Sequence, residues 1–157
     1  MDQPDEQASA DTARIECLRL LDKEDRTLAE DKAMIGVAHA VLKHSQATGE
    51  LVEEHRGNVL VARAYIAAGL IEPALEFARR TMDITAKHHE ALPDTDRATA
   101  KEIAARAWAL AGNLERAEHH RTGAQMLGEA IGDEAERQAF LERLRAGPWF
   151  RLEIPEE

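Results

Sequence analysis

The sequence nearly repeats one stretch of itself. Residues 61–84 read VARAYIAAGLIEPALEFARRTMDI and residues 104–127 read AARAWALAGNLERAEHHRTGAQML, a spacing of 43 residues. Aligned without a gap, both copies place an aromatic side chain, Tyr65 or Trp108, four residues before a glycine, Gly69 or Gly112. Each copy is therefore predicted to cover the end of one helix, a tight turn at the glycine and most of the next helix. Such a unit is a helical hairpin.

The residues around the repeat favour helix throughout the chain. Ala, Leu, Glu and Arg dominate, aromatic residues make up only 4% of the sequence, and no long stretch alternates apolar and polar residues. The chain is predicted to be all-α, with about seven helices. Their expected positions are 12–21, 27–45, 51–68, a fourth helix with Pro73 in its first turn that continues toward His89, 95–111, 114–131 and 133–145.

These helices predict one domain with two short ends. Residues 1–11 are expected to form a flexible acidic segment, and residues 12–146 the helical domain. Within that domain the clearest repeats lie at 52–89 and 95–131, and the helix at 133–145 caps the stack. Residues 147–157 form a tail rich in helix breakers. In this tail, Trp149 and Phe150 are expected either to cover the last hairpin or to insert into a second chain, which leaves a homodimer open.

Small and aromatic residues recur at positions where two helices of a hairpin meet. Small side chains let the helices approach closely, and the aromatic rings fill the wider gap beside them. The predicted packing residues are Ala62, Tyr65, Gly69 and Ala74 in the first copy and Ala105, Trp108, Gly112 and Ala117 in the second. Together with the small residues Thr81 and Ala124, this spacing resembles the tetratricopeptide repeat.

The resemblance implies a short right-handed superhelix of stacked antiparallel hairpins. The chain departs from the family in its spacing, which is longer than the usual repeat of about 34 residues. It also lacks the proline after the second helix and carries His120 and Arg121 where apolar residues are common. The alternative is a plain antiparallel bundle in which the Ala and Gly spacing is coincidental.

The same resemblance implies a function, because such repeats hold peptide segments of partner proteins in a concave groove lined by the first helix of each hairpin. The matching positions are Val59, Arg63 and Ile66 in the first copy and Glu102, Arg106 and Ala109 in the second. Two stacked guanidiniums, from Arg63 and Arg106, would suit a carboxylate of an acidic partner. The alternative is that each arginine pairs with a glutamate of the chain itself.

Charge and cysteine content restrict the partners and the compartment. The formal net charge of −10 repels phosphate backbones, so neither nucleic acid nor an anionic membrane is expected as a partner. The acidic start lacks the apolar core of a signal peptide, and no apolar run approaches the roughly 20 residues of a membrane span. The only cysteine, Cys17, is interpreted as a small apolar filler. These features predict a cytoplasmic protein.

No catalytic motif, metal-ligand spacing or cofactor signature occurs in the sequence, so no catalytic residue, metal or cofactor is predicted. The histidine doublets His88-His89 and His119-His120 are expected on the surface, and Glu115 with His119 would supply only half of a metal site. The expected function is a non-enzymatic scaffold or adaptor that binds a partner protein. The alternatives are a small acidic chaperone-like assembly or secretion factor, and a histidine-based metal-dependent sensor or enzyme.

Overall fold

Seven α-helices follow one another in the computed structural model, which describes residues 3–155. Their bounds are α1 Gln3–Asp22, α2 Leu28–Thr48, α3 Leu51–Ala68, α4 Ile71–Lys87, α5 Asp94–Leu110, α6 Leu114–Glu129 and α7 Glu134–Arg145. A short 3₁₀ turn at His89–Ala91 separates α4 from α5. The described residues contain no strand. The all-α prediction is confirmed.

Local capping explains most of the helix ends. The Thr27 side chain accepts a hydrogen bond from the Glu30 backbone N–H at 3.1 Å, and the Glu30 carboxylate accepts one from the Thr27 N–H, so a capping box starts α2. Asp133 starts α7 by accepting from the Glu136 N–H at 2.9 Å. Gly69, with a φ of 75°, ends α3 in the left-handed conformation, where glycine lacks the steric penalty of a Cβ.

Helix α1 differs from its prediction in length and in its buried side. It begins at Gln3, so residues 3–11 are helical rather than a flexible segment; residues 1 and 2 lie outside the described residues. Ile15 and Leu18, two apolar residues three positions apart in this helix, are 68% and 52% exposed, whereas Cys17 and Leu20 are buried. A terminal helix has neighbours on one side only, so apolar spacing does not by itself identify the buried side.

The helices pack in the order of the chain, each against the next. In addition, α1 contacts α3, α3 contacts α5, and α5 contacts α7, so the odd-numbered helices form one continuous layer. This arrangement is consistent with stacked helical hairpins. Membership of the tetratricopeptide-repeat family stays a prediction.

The small residues predicted to pack in the repeat differ in burial. Ala62, Ala74, Ala105 and Ala117 are completely buried, whereas Gly69 and Gly112 lie in exposed turns. Tyr65 and Trp108 are half-buried and pack against the edges of two apolar clusters, one centred on α1–α4 and the other on α5–α7 with the tail. No helix among the described residues combines the length and the apolar content that crossing a membrane requires.

The tail closes the second apolar cluster. Trp149 is only 5% exposed, and its indole N–H donates to the Leu144 carbonyl at 2.9 Å. Leu152 and Ile154 pack against the same cluster, whereas Phe150 is 43% exposed. Trp149 therefore covers the last hairpin of its own chain, in agreement with the first of the two expectations for this segment.

Candidate functional site

A buried carboxylate, Glu102 of α5, lies at the centre of the odd-helix layer. It is 0% exposed and accepts four hydrogen bonds from three guanidiniums. Arg63 of α3 donates twice, at 3.0 Å to each carboxylate oxygen; Arg106 of α5 donates through Nε at 2.8 Å, and Arg143 of α7 through Nε at 3.1 Å. This cluster joins three helices of the layer through charge-assisted bonds.

The electrostatics of the cluster keep Glu102 ionised. Burial by itself raises the pKa of this carboxyl, but the positive charges and hydrogen bonds of Arg63, followed by Arg143 and Arg106, outweigh burial and hold the pKa well below its usual range. Burial lowers the pKa of the Arg106 guanidinium against the opposing effect of Glu102. Since arginine starts far above neutral pH, Arg106 stays charged.

Arg106 also holds the end of α7 and the start of the tail. Its Nη2 donates to the carbonyls of Arg143 at 2.7 Å and Ala146 at 3.1 Å, and its Nη1 donates to the Pro148 carbonyl at 3.1 Å. The guanidinium lies 4.2 Å from the centroid of the Trp149 ring. Arg106 is therefore a structural residue, which satisfies carbonyls that the helix end leaves without partners.

These contacts correct the expected groove. Five of its six residues are buried: Val59, Ile66, Glu102, Arg106 and Ala109. Of the six, only Arg63 and the edge of Val59 reach an open surface. Arg63 and Arg106 do not form a free pair, because the chain's own Glu102 binds both. The structure therefore agrees with the alternative, because Arg63 and Arg106 both pair with Glu102 of the chain itself.

An open space of about 210 Å³ lies beside the cluster, between α1, α3, α5 and α7. We call this space the arginine cleft. Its polar lining consists of Arg14, Arg56, Arg63, Arg143, Thr95, Asp96 and Thr99. Sequence reasoning missed Arg14, Arg56 and Arg143 because they lie on three different helices, and no local motif joins them.

The ion pairs around this cleft carry more positive than negative charge. Arg56 binds Asp96 through two bonds of 2.9 and 3.1 Å, and Arg14 lies 3.8 Å from Glu53. Together with the arginines on Glu102, five guanidiniums share three carboxylates. A guanidinium has five N–H donors, so one carboxylate does not use them all. The charge of Glu136 also acts on Arg56, so five guanidiniums face four carboxylates and the cleft is a weakly basic patch on an acidic chain.

His55 lies under this patch and was not anticipated. It is fully buried, its Nε2 lies 2.9 Å from the Thr85 hydroxyl, and its Nδ1 lies 4.0 Å from Asp96. Burial lowers the pKa of this histidine more than Asp96 raises it, and Arg56 lowers it further. His55 is therefore neutral at physiological pH, and it packs beneath the Arg56–Asp96 pair.

The histidine doublets do not assemble a metal site. His88, His89 and His119 are exposed, and His120 is half-buried with its ring 5.5 Å from that of His119. Within the described part of the chain, no group of three metal-binding side chains is close enough to hold an ion, so Glu115 and His119 have no third ligand there.

The fold and the site together define an all-α stack of helical hairpins that carries a basic cleft. Scans against protein-family models, curated proteins and solved structures returned no match for the chain.

Proposed function

We propose that this protein is a non-enzymatic scaffold that binds an acidic segment of a partner protein in the arginine cleft. The observation that carries the proposal is the grouping of Arg14, Arg56, Arg63 and Arg143 around one opening in a chain of net charge −10. Arginine offers a planar set of donors that matches a carboxylate, so the side chains that this cleft favours are those of Asp and Glu.

The size and rigidity of the cleft support an acidic side chain rather than a large ligand. A volume of about 210 Å³ is below the roughly 300–1,000 Å³ of typical small-molecule pockets. Arg63 and Arg143 are already held in place by Glu102, so binding costs little of their conformational freedom. Arg14 and Arg56 lie outside the Glu102 cluster and pair with Glu53 and Asp96 at the edge of the cleft.

A labelled peptide and two matched variants test this proposal. The probe is fluorescein-labelled tetraglutamate, compared with tetraglutamine, in anisotropy titrations at low and at high salt. The cleft variant is Arg14→Gln with Arg56→Gln, which spares the Glu102 cluster. The control is Arg19→Gln with Arg79→Gln, which makes the same change in net charge at exposed positions of α1 and α4.

The parent and the control should bind tetraglutamate in preference to tetraglutamine. The cleft variant should bind at least about tenfold more weakly, because each charge-assisted bond between a guanidinium and the peptide contributes on the order of 1.5–3 kcal/mol. High salt should weaken the parent complex by screening. Equal affinities of the cleft variant and the control would show that acidic segments bind elsewhere or only through net charge.

A further inference from the structure

His55 is a buried base with one ring nitrogen that the fold does not use. The side chain is 0% exposed, and Nδ1 forms no hydrogen bond with any residue that the structure describes. The ring lies between α4, which contributes the Thr85 hydroxyl, and α5, which contributes the Asp96 carboxylate. Most buried polar atoms are hydrogen-bonded, so a buried nitrogen without a partner indicates a place where a ligand or a proton can bind.

The hydrogen bonds around Thr85 fix which nitrogen of the neutral ring carries the hydrogen. The Thr85 hydroxyl donates its single hydrogen to the Thr81 carbonyl at 2.8 Å. The Thr85 oxygen lies 2.9 Å from His55 Nε2, so this second contact is a hydrogen bond only if Nε2 donates. The neutral ring therefore holds its hydrogen on Nε2, and Nδ1 presents a bare lone pair.

This lone pair faces a carboxylate oxygen of the arginine cleft. His55 Nδ1 is 4.0 Å from Asp96 Oδ1, and two acceptors do not bond each other without a proton between them. The same oxygen accepts a hydrogen bond from Arg56 Nε at 2.9 Å. A proton on Nδ1 makes the ring a second cationic donor to Asp96, and an approach of about 1 Å completes that bond. His55 and Arg56 therefore compete for one oxygen.

Of the two competitors, Arg56 is the one that has room to move. Its side chain is 48% exposed, whereas the Asp96 side chain is 9% exposed and His55 is enclosed. The charges that act on the ring come from Asp96 of α5 and from Arg56 of its own helix, and α4 faces it with the uncharged Thr85 hydroxyl. When Asp96 turns toward a protonated His55, donors of Arg56 become available to the cleft that it lines.

We propose that proton uptake by His55 releases Arg56 from Asp96 and thereby strengthens the binding of acidic segments in the arginine cleft. The effect on binding rests on the function proposed above, whereas the coupling of His55 to Arg56 does not. The added charge and the freed donors act in the same direction, because both favour a carboxylate in the cleft.

The environment of His55 sets the pH range of this change. Burial holds the pKa of the ring below its ordinary value of about 6.5, so proton uptake belongs to mildly acidic conditions. Because the pKa is lower in the folded chain than in the unfolded chain, proton uptake also lowers stability as the pH falls below about 6.5. The bond to Asp96 limits that loss.

NMR of the free chain tests the coupling without any peptide. Proton–nitrogen spectra follow both ring nitrogens of His55 and the Nε–H signal of Arg56, from about pH 8 down to the acid unfolding of the chain. We expect the hydrogen on Nε2 at the high pH, and an Arg56 signal that moves with the same midpoint as His55. Three results would overturn the proposal: a hydrogen on Nδ1 at the high pH, an Arg56 signal that stays fixed while His55 titrates, or proton uptake only on unfolding.

Anisotropy titrations with rhodamine-labelled tetraglutamate test the consequence for binding. The affinity of the parent should rise about fivefold between about pH 8 and a pH just below the His55 midpoint, which corresponds to one net hydrogen bond. His55→Gln keeps a donor for Thr85 but takes up no proton, so its affinity should not rise. This variant also controls for protonation of the peptide itself. An unchanged affinity of the parent, or an equal rise in both proteins, would refute the role of His55.

A second variant covers the case in which His55→Gln does not fold. Asp96→Asn removes the charge for which His55 and Arg56 compete, so it should bind tetraglutamate at about pH 8 as tightly as the parent does in acid, and its affinity should not change with pH. A pH dependence like that of the parent would contradict the proposal. If the parent binds no tetraglutamate at any pH, the function of the cleft and the effect on binding both fail, and the NMR experiment separately decides the coupling of His55 to Arg56.

Discussion

Replacement of Glu102 by Gln should destabilise the fold more than any other change of one charge in the odd-helix layer. Gln has nearly the same shape, so the variant isolates the loss of the negative charge. The four hydrogen bonds to Glu102 come from Arg63, Arg106 and Arg143, and Arg106 is only 5% exposed. Without the carboxylate, the Arg106 charge stays buried without a counter-ion, and one amide N–H group faces the guanidiniums.

The expected cost is about 3–5 kcal/mol, the usual effect of removing one partner of a buried ion pair. This is a large part of the roughly 5–15 kcal/mol by which a domain is stable. At about 2–4 °C per kcal/mol for a chain of this size, the melting temperature should fall by roughly 6–20 °C. Thermal and urea unfolding followed by circular dichroism at pH 7 measure both quantities.

The control is Glu16→Gln, which breaks the exposed pair of Glu16 with Arg19 on α1 and should change stability little. A Glu102→Gln variant that melts like this control would refute the reasoning, because it would mean that Arg106 does not need the carboxylate.

The same carboxylate predicts a pH dependence. The pKa of Glu102 is lower in the folded chain than its ordinary value of about 4.3, so its stabilisation is complete above about pH 5 and is lost as the pH falls toward the folded pKa. The difference in unfolding free energy between parent and Glu102→Gln should therefore shrink on acidification. A constant difference from pH 7 down to acid would contradict this assignment.

Three further predictions concern packing. Gly128→Ala should destabilise the fold by about 1–3 kcal/mol, because the added Cβ would lie 2.5 Å from ring atoms of buried Phe140. Gly36→Ala has open space in α2 and should stabilise the fold by about 0.5–1 kcal/mol. Melting temperatures that move in the same direction for both variants would contradict this pair of predictions. Trp108→Ala should lower the free energy of unfolding in urea by about 2 kcal/mol. This is below the 3–5 kcal/mol typical of a fully buried aromatic ring, because Trp108 is half-buried. Unfolding identical to that of the parent would show that the packing of Trp108 contributes nothing. Burial, opposed by the charge of Arg14, raises the pKa of the Cys17 thiol to about 11. Iodoacetamide at neutral pH should therefore modify this thiol only when the chain unfolds in urea. Rapid modification of the native chain would show that the thiol is accessible.

The sequence alone was sufficient for the all-α class, for the seven helices and for most of their ends. Helix ends depend on local chemistry, such as the capping side chain of Asp133 and the left-handed glycine Gly69, and this chemistry is visible in a few consecutive residues. The close approach of paired helices depends on alanine at fixed spacing, which the repeat displays twice. The N-terminal end of α1 was missed because residues 3–11 carry no apolar period. Their composition is compatible with helix, but it does not mark where the helix begins.

Only the tertiary structure determined which charges are free and which are used. Arg63 and Arg143 reach Glu102 from positions 39 and 41 residues away, and nothing local identifies either partner. The repeat suggested two equivalent arginines, but packing converts one into a buried support for the tail and leaves the other at the edge of a cleft. The physical reason is that helix formation depends on neighbours in the chain, whereas the pairing of a charge depends on which helices pack together and how far they exclude water.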